Sequence, residues 1–244
     1  MSFFRWSLAF LLVLLLPGGA WAEPFSSPDP DTSLAHFPSK IGEDLPHLFS
    51  DDNLIPFAVG SLAAILDGVT LDGRNALAGD LQDWNAQPLF DLGNFYGQGW
   101  VEGGGAVGSW VLGGLTSDKR MQEFGRDACE SLLTSTVLVT GLKYAVGRER
   151  PDHSNHLSFP SGHSIVAFCF APVVAKYGGW QLGVPAYAMA TLTAFARVEG
   201  YHHYLSDVIA GATLGILVGN AVVYAPKGLS VSAFPGGMTV TVRF

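Results

Sequence analysis

Phe159-Pro160-Ser161-Gly162-His163-Ser164, followed by the apolar run Ile165–Ala175, is the stretch from which the rest of the chain can be organised. A proline, a small polar residue and a glycine directly before an apolar run mark a helix start, with Ser161 at the N-cap. Gly162 lets an anion approach the free backbone N–H groups at the positive end of that helix. His163 then falls in the first turn, where it can touch whatever that end binds.

Working outward, further apolar segments of helical length lie at about 54–71, 95–115, 126–146, 182–198 and 205–224, beside 162–176 itself. Gly-, Pro- and Asp-rich breaks such as Asp72-Gly73 and Gly147–Pro160 separate them. The expectation is an all-α protein, a bundle of about six core helices spanning 54–226. Residues 23–53 are polar, acidic and Pro-rich, which favours an extended N-terminal arm over a helix. From Val231 the tail alternates around Pro235-Gly236-Gly237 and ends Thr239-Val240-Thr241-Val242-Arg243-Phe244, which reads as a small C-terminal β-hairpin over 227–244.

Arg5, the apolar run Leu8–Leu16 and the small residues before Glu23 have the three parts of a secretory signal peptide over 1–22. The expected location is therefore outside the cytoplasm, in a bacterial periplasm, either soluble or resting on the membrane. A membrane span needs about 20 mostly apolar residues. Lys176 and Arg197 cut two of the candidate segments short, Glu102 and Asp67 interrupt two more, and only 205–224 approaches that length. Three full spans before Lys143 would also return the basic cluster described below to the cytoplasmic side. A compact exported bundle is the simpler solution.

The chain has 244 residues, 14% of them charged, 30 Gly and a formal net charge of −8. A net negative charge without a basic face argues against a nucleic-acid partner. The charge is uneven: Glu23 to Glu102 holds 13 acidic and two basic residues, whereas Gly103 to Phe244 holds eight acidic and ten basic. Cys129 and Cys169 sit in apolar runs, as a pair or as buried free thiols.

The cations of the second half fall beside two histidine-bearing segments. Lys143 and Arg150-Pro151 are seven residues apart; Ser161-Gly162-His163 follows; Arg197 precedes His203 by six, and Asp207 follows His203 by four. Three cations, Lys143, Arg150 and Arg197, suit one tetrahedral oxyanion, the guanidinium groups by bidentate contacts and the ammonium as a point charge. His203 and Asp207, as i and i+4 of a helix, would share a face. A carboxylate there can take the Nδ1 proton and leave Nε2 as a directed lone pair. His202, about 100° further round such a helix, would point elsewhere.

These three segments, Lys-x6-Arg-Pro, Pro-Ser-Gly-His and Arg-x5-His-x3-Asp, resemble the signature of the type 2 phosphatidic acid phosphatase and vanadium haloperoxidase superfamily. The motifs run from Lys143 to Asp207, and the helical context extends the likeness over about 54–224. The third motif of that family usually begins Ser-Arg, whereas Ala196 stands before Arg197 here, which removes a supporting hydrogen bond. The resemblance implies an acid phosphatase/haloperoxidase-like bundle and a phosphohydrolase that uses no metal and no cofactor. It implies His203 as the nucleophile, Asp207 as its orienting partner and His163 as the acid on the leaving oxygen. Lys143, Arg150 and Arg197, with the backbone at Ser161 and Gly162, would hold the phosphoryl oxygens. The expected partner is a phosphate ester: a lipid phosphate such as phosphatidic acid, polyprenyl pyrophosphate or lipid A, or a soluble ester turned over by a broad-specificity periplasmic acid phosphatase. A vanadium haloperoxidase and a non-enzymatic envelope protein are the further alternatives. Arg148, Glu149, His153 and His156 are expected as solvated loop residues between the motifs.

Overall fold

The computed structural model describes residues 37–49, 76–224, parts of 53–64, and the backbone of 229–234 and 237–242. The signal-peptide reading of 1–22 and the first part of the arm lie outside these residues. The helices are α1 (Phe37–Asp44), α2 (Ala76–Gln82), α3 (Gln87–Tyr96), α4 (Trp100–Thr116), α5 (Lys119–Val146), α6 (Gly162–Glu199) and α7 (Leu205–Tyr224). A 3-10 turn, Leu45–Phe49, extends α1, and the described residues within 53–64 are helical as well. The described part is thus mostly helical, as the apolar segments require.

Residues 37–49 correct the extended-arm reading. Composition disfavours a helix there, but docking overrides it. Phe37 packs its ring 5.1 Å from that of Trp110, and Lys40 pairs with Asp44 one turn on. Buried Asn53 donates from Nδ2 to the carbonyls of His47 and Leu217, tying this segment to α7. Helices α2 and α3 are further elements that the sequence reading passed over.

Helix α6 carries 38 residues but is not one rod. Gly179 has φ 65° and ψ −169°, outside the helical region and in the left-handed half of the map that glycine tolerates. A Cβ added at Gly183 would lie 2.8 Å from the Cβ of Ala175, eight residues earlier. Eight residues along a straight helix span about 12 Å, so the chain reverses at Gly179. The expected break between 176 and 182 is therefore a hairpin of two helical arms, 162–178 and 180–199. Its two open ends, with His163 and Arg197, return to the same end of the bundle.

Helix α7 lies along the first arm. Gly211, Gly215 and Gly219 repeat every four residues, and a Cβ on each would press on the backbone oxygens of Ser161, Ile165 and Cys169. Small residues at this spacing let two helix backbones approach closely. Phe168, Ile165, Val208 and Ile209 are fully buried around this contact, with Leu77, Leu81 and Phe90 of α2 and α3 closing the core. Helices α4 and α5 form an antiparallel pair beside it, joined through Asp118, which caps α5 by accepting from the Met121 N–H. Asp127 of α5 is buried and fully partnered by Arg126, Lys176 and Tyr177, which fastens α5 to the far end of the hairpin.

Helices α6 and α7 are long and apolar enough to cross a membrane by length and composition, although α7 is almost wholly buried and α6 is divided at Gly179. Beyond α7 the backbone carries two short strands, β1 (Leu229–Phe234) and β2 (Gly237–Val242), antiparallel with Leu229 opposite Val242. The fold class rests on the helices alone. Cys129 and Cys169 are both buried free thiols.

Candidate active site

Four helix ends meet at one end of the bundle. The last turn of α5 supplies Lys143 and is closed by Gly147, whose N–H bonds the Lys143 carbonyl in a left-handed cap. The loop 147–160 supplies Arg150 and Ser158. The start of α6 supplies His163, and its end supplies Arg197. A turn through Tyr201, held at φ 53°, then delivers His203 to the start of α7, where Asp207 sits in the first turn.

The side chains singled out by the motifs influence one another. Burial pushes the Lys143 ammonium down to about 8, and Arg150 acts in the same direction. Burial lowers Arg197 to about 10, again with Arg150 behind it. Burial first, then Arg197, His203 and Arg150, holds His163 down at about 3. His203 is held at about 4 by burial, against the hydrogen bond and charge of Asp207, with Lys143 and Arg150 adding to the depression. Arg150 thus acts electrostatically on all four groups. The Lys143 Cε also lies 3.7 Å from where a Cβ of Gly162 would stand. A cluster of three cations and two neutral imidazoles is a site built to receive an anion.

Two local readings are corrected. His203 lies in the turn before α7, not on the helix. The i, i+4 spacing still works because Asp207 reaches back: its Oδ2 accepts from the Tyr204 N–H at 3.0 Å, as in a capping box, and lies 3.6 Å from His203 Nδ1. Ser161 is not a free donor. Its N–H bonds the Asp207 carbonyl at 3.0 Å, and its hydroxyl caps α6 by accepting from the N–H and hydroxyl of Ser164. Among the described residues, the first-turn N–H groups of Gly162 and His163 have no partner, whereas those of Ser164 and Ile165 return to Ser161.

Three residues that the sequence reading left aside belong to the site. Ser158 is fully buried and donates to Asp207 Oδ2 at 2.5 Å, with His203 Nδ1 3.5 Å away. Arg148, expected as a solvated loop residue, donates from Nη1 to Asp207 Oδ1 at 2.9 Å and to Ser206 Oγ at 2.8 Å, and lies 4.1 Å over the Tyr204 ring. Asn94, from α3, accepts from Arg197 Nη1 at 2.8 Å. Burial acts to raise the Asp207 carboxyl, but His203, Ser158 and Arg148 outweigh it and hold the group below its ordinary value. A serine two residues before a motif proline, or a lone asparagine 103 residues away, gives no signal that composition or spacing could detect.

His202 turns to Asp152 at 3.0 Å, although it lies in the turn and not on a helix, and His153 pairs with Glu149 on the exposed loop. Among the described residues no group of three or more His, Cys, Asp or Glu is placed to hold a metal ion.

Comparison with known proteins agrees with the motif-based resemblance. Residues 124–229 match the family model of the PAP2 superfamily. A lipid A 1-phosphatase of Porphyromonas gingivalis is 41% identical over 86 residues, covering 34% of this chain and 19% of that protein. A phosphatidylglycerophosphatase B of Bacillus subtilis is 34% identical over 100 residues, covering 35% of this chain and 49% of that one. The chain therefore matches less than half the length of either relative. A crystal structure of a transmembrane PAP2-type phosphatidylglycerolphosphate phosphatase from Bacillus subtilis aligns over 90% of this chain and 94% of its own, at 22% identity and a TM-score of 0.36.

Proposed function

Starting from a chain that matches the PAP2 superfamily over residues 124–229, we propose that it is a phosphatase acting on the phosphoryl group of a lipid phosphate. The observation that carries this reading is the approach of Asp207 to His203 at 3.6 Å, beside Lys143, Arg150, Arg197 and His163, whose charges act on one another. His203 attacks phosphorus through Nε2 while its Nδ1–H is turned to Asp207, giving a phosphohistidine. His163 gives its proton to the leaving oxygen and then helps to draw one from the attacking water. The three cations and the N–H groups of Gly162 and His163 hold the equatorial oxygens, whose charge develops in a desolvated pocket. No step needs a metal or a cofactor.

The lipid substrate is favoured by the printed activities of the relatives, lipid A 1-phosphatase and phosphatidylglycerophosphatase B. A signal peptide over 1–22, a helical domain over 54–226 and a tail hairpin over 227–244, in an exported protein at a bacterial membrane surface, complete the reading. The test is a panel of phosphate esters, in vesicles and in solution, with EDTA present throughout. Turnover rises steeply on vesicle-borne lipid phosphates and is unaffected by the chelator. Equal turnover of soluble esters identifies the broad-specificity acid phosphatase instead. His203→Ala removes turnover while leaving helicity intact, and rapid acid-free quenching of wild type finds one phosphoryl mass on the peptide containing His203. Full activity in His203→Ala refutes the assignment.

A further inference from the structure

Residues 149–156 carry Arg150 but pack little against the bundle, since Asp152 to His156 are all exposed. Within itself the stretch is stiff. Pro151 fixes its own φ, and the His153 N–H donates to the Arg150 carbonyl at 3.0 Å, which closes a turn. Arg150 donates twice to Asn155, from N–H to carbonyl and from Nε to Oδ1, both at 3.0 Å. Asp152 Oδ1 accepts from the Ser154 N–H at 3.0 Å. Arg150, Pro151 and Asp152 therefore move as one piece.

Among the described residues, one hydrogen-bonded ion pair ties 149–156 to anything beyond its own loop: His202 Nδ1 faces Asp152 Oδ2 at 3.0 Å. The other ties of the loop lie outside this stretch, where Arg148 and Ser158 bond Asp207 and Lys143 bonds the Leu157 carbonyl. His202 belongs to the turn that delivers His203. The N–H groups of both histidines donate to the Arg197 carbonyl, at 3.1 and 3.2 Å. The pair thus yokes the turn that carries one cation to the turn that carries the nucleophile, and the second turn hangs on another cation. Both partners also act inward, Asp152 on the Arg197 guanidinium and His202 on the His163 imidazole. Ser154 first, then His202, holds the Asp152 carboxyl well below its ordinary value, so its charge persists.

We propose that the His202–Asp152 pair keeps the Arg150 turn in register with His203, and so sets where the Arg150 guanidinium meets a bound phosphoryl group. His202 is then a positioning residue that acts through Arg150. Its part in turnover rests on the phosphatase reading; its part in holding an anion does not. An exposed ion pair contributes little to stability. A shift of about 1 Å in a group that holds substrate, by contrast, can cost on the order of 100-fold in rate. Stability and anion handling therefore report on different things here.

Sulfate affinity is measured by titration calorimetry, and kcat and KM on a soluble phosphate ester. The proteins are wild type, His202→Ala, His202→Lys, Arg150→Ala and the His202→Ala, Arg150→Ala double variant. His202→Ala should weaken sulfate and lower kcat/KM by about tenfold each, with melting temperature and circular dichroism unchanged. His202→Lys keeps a cation opposite Asp152 and should recover most of both. In the Arg150→Ala background the change at His202 should have no further effect, because the two residues act as a unit. Undiminished sulfate affinity in His202→Ala overturns the proposal, as does a His202→Lys protein no better than His202→Ala. Equal losses with and without Arg150, or a lowered melting temperature in His202→Ala, mark His202 as a packing residue and also overturn it. A wild type that shows the sulfate coupling but hydrolyses no ester refutes the phosphatase reading and leaves the positioning role standing. A wild type that binds no sulfate removes the anion site and the proposal with it.

Discussion

Asn94 and Arg197, 103 residues apart, are joined by a hydrogen bond of 2.8 Å from guanidinium to amide oxygen. Arg197 is buried at the closing end of the α6 hairpin, and its Nε has no partner among the described residues. Asn94 therefore fixes the direction in which the remaining donors point. A hydrogen bond to a charged group contributes about 1.5–3 kcal/mol. Asn94→Ala lowers kcat/KM by about 10- to 150-fold, whereas Asn94→Gln restores part of it. Unchanged kinetics in Asn94→Ala would show that Arg197 is held by other means.

Proton uptake on anion binding follows from the state of His163. In the empty site burial and Arg197 keep this imidazole neutral down to about 3. A dianion among the same cations favours the imidazolium, so the value rises on binding. At pH 6 sulfate keeps its own charge, and its binding should draw protons from solution. Titration in two buffers of different ionisation heat measures this. His163→Gln should abolish the uptake, and proton release in wild type would contradict the assignment.

Ser158 acts through Asp207 rather than on substrate. Its hydroxyl is one of the groups that keep the carboxylate below its ordinary value. In Ser158→Ala the Asp207 value rises, and the acid limb of the pH–rate profile moves to higher pH. Losing one hydrogen bond to a charged group of this kind lowers kcat by about tenfold or more, with KM little changed. Ser158→Thr retains the hydroxyl and should restore the profile. A fall in kcat without movement of the acid limb would mark Ser158 as a packing residue only.

Gly215 tests the close approach of α7. A Cβ there would stand 2.6 Å from the Ile165 carbonyl oxygen and 2.9 Å from the Cys169 N–H nitrogen, both backbone atoms that cannot step aside. Gly215→Val forces the helices apart at a cost of about 1–3 kcal/mol or more. Thermal unfolding should occur several degrees lower, while Gly108→Ala, where the added Cβ meets nothing within 4 Å, leaves it unchanged or higher. Equal melting of the Gly215 variant and wild type would refute this packing.

Much of this arrangement is legible in the letters. The motifs single out Lys143, Arg150, His163, Arg197, His203 and Asp207, of which the structure sets His203 3.6 Å from Asp207. The turn before α7 still sends His202 to Asp152 and His203 to Asp207, although the helical offset that suggested the choice is absent there. What escapes is set by contacts between distant segments. Helix α3 is short and holds Pro88, Gly93 and Asn94; it exists because Gly93 seats against the Leu192 carbonyl. Helix α1 opposes its own composition and forms against Trp110 and α7. Arg148 looks like one more loop cation until Asp207 is found beside it. Ser161 looks like an anion donor until its N–H is traced to the Asp207 carbonyl.

The reversal at Gly179 makes the two arms of α6 a single lever. His163 and Arg197 ride on opposite limbs that touch at Ala175 and Gly183, so neither can tilt without the other. Substitutions at the distant apex, far from any reacting atom, would therefore register as simultaneous losses in anion affinity and in protonation of the departing oxygen.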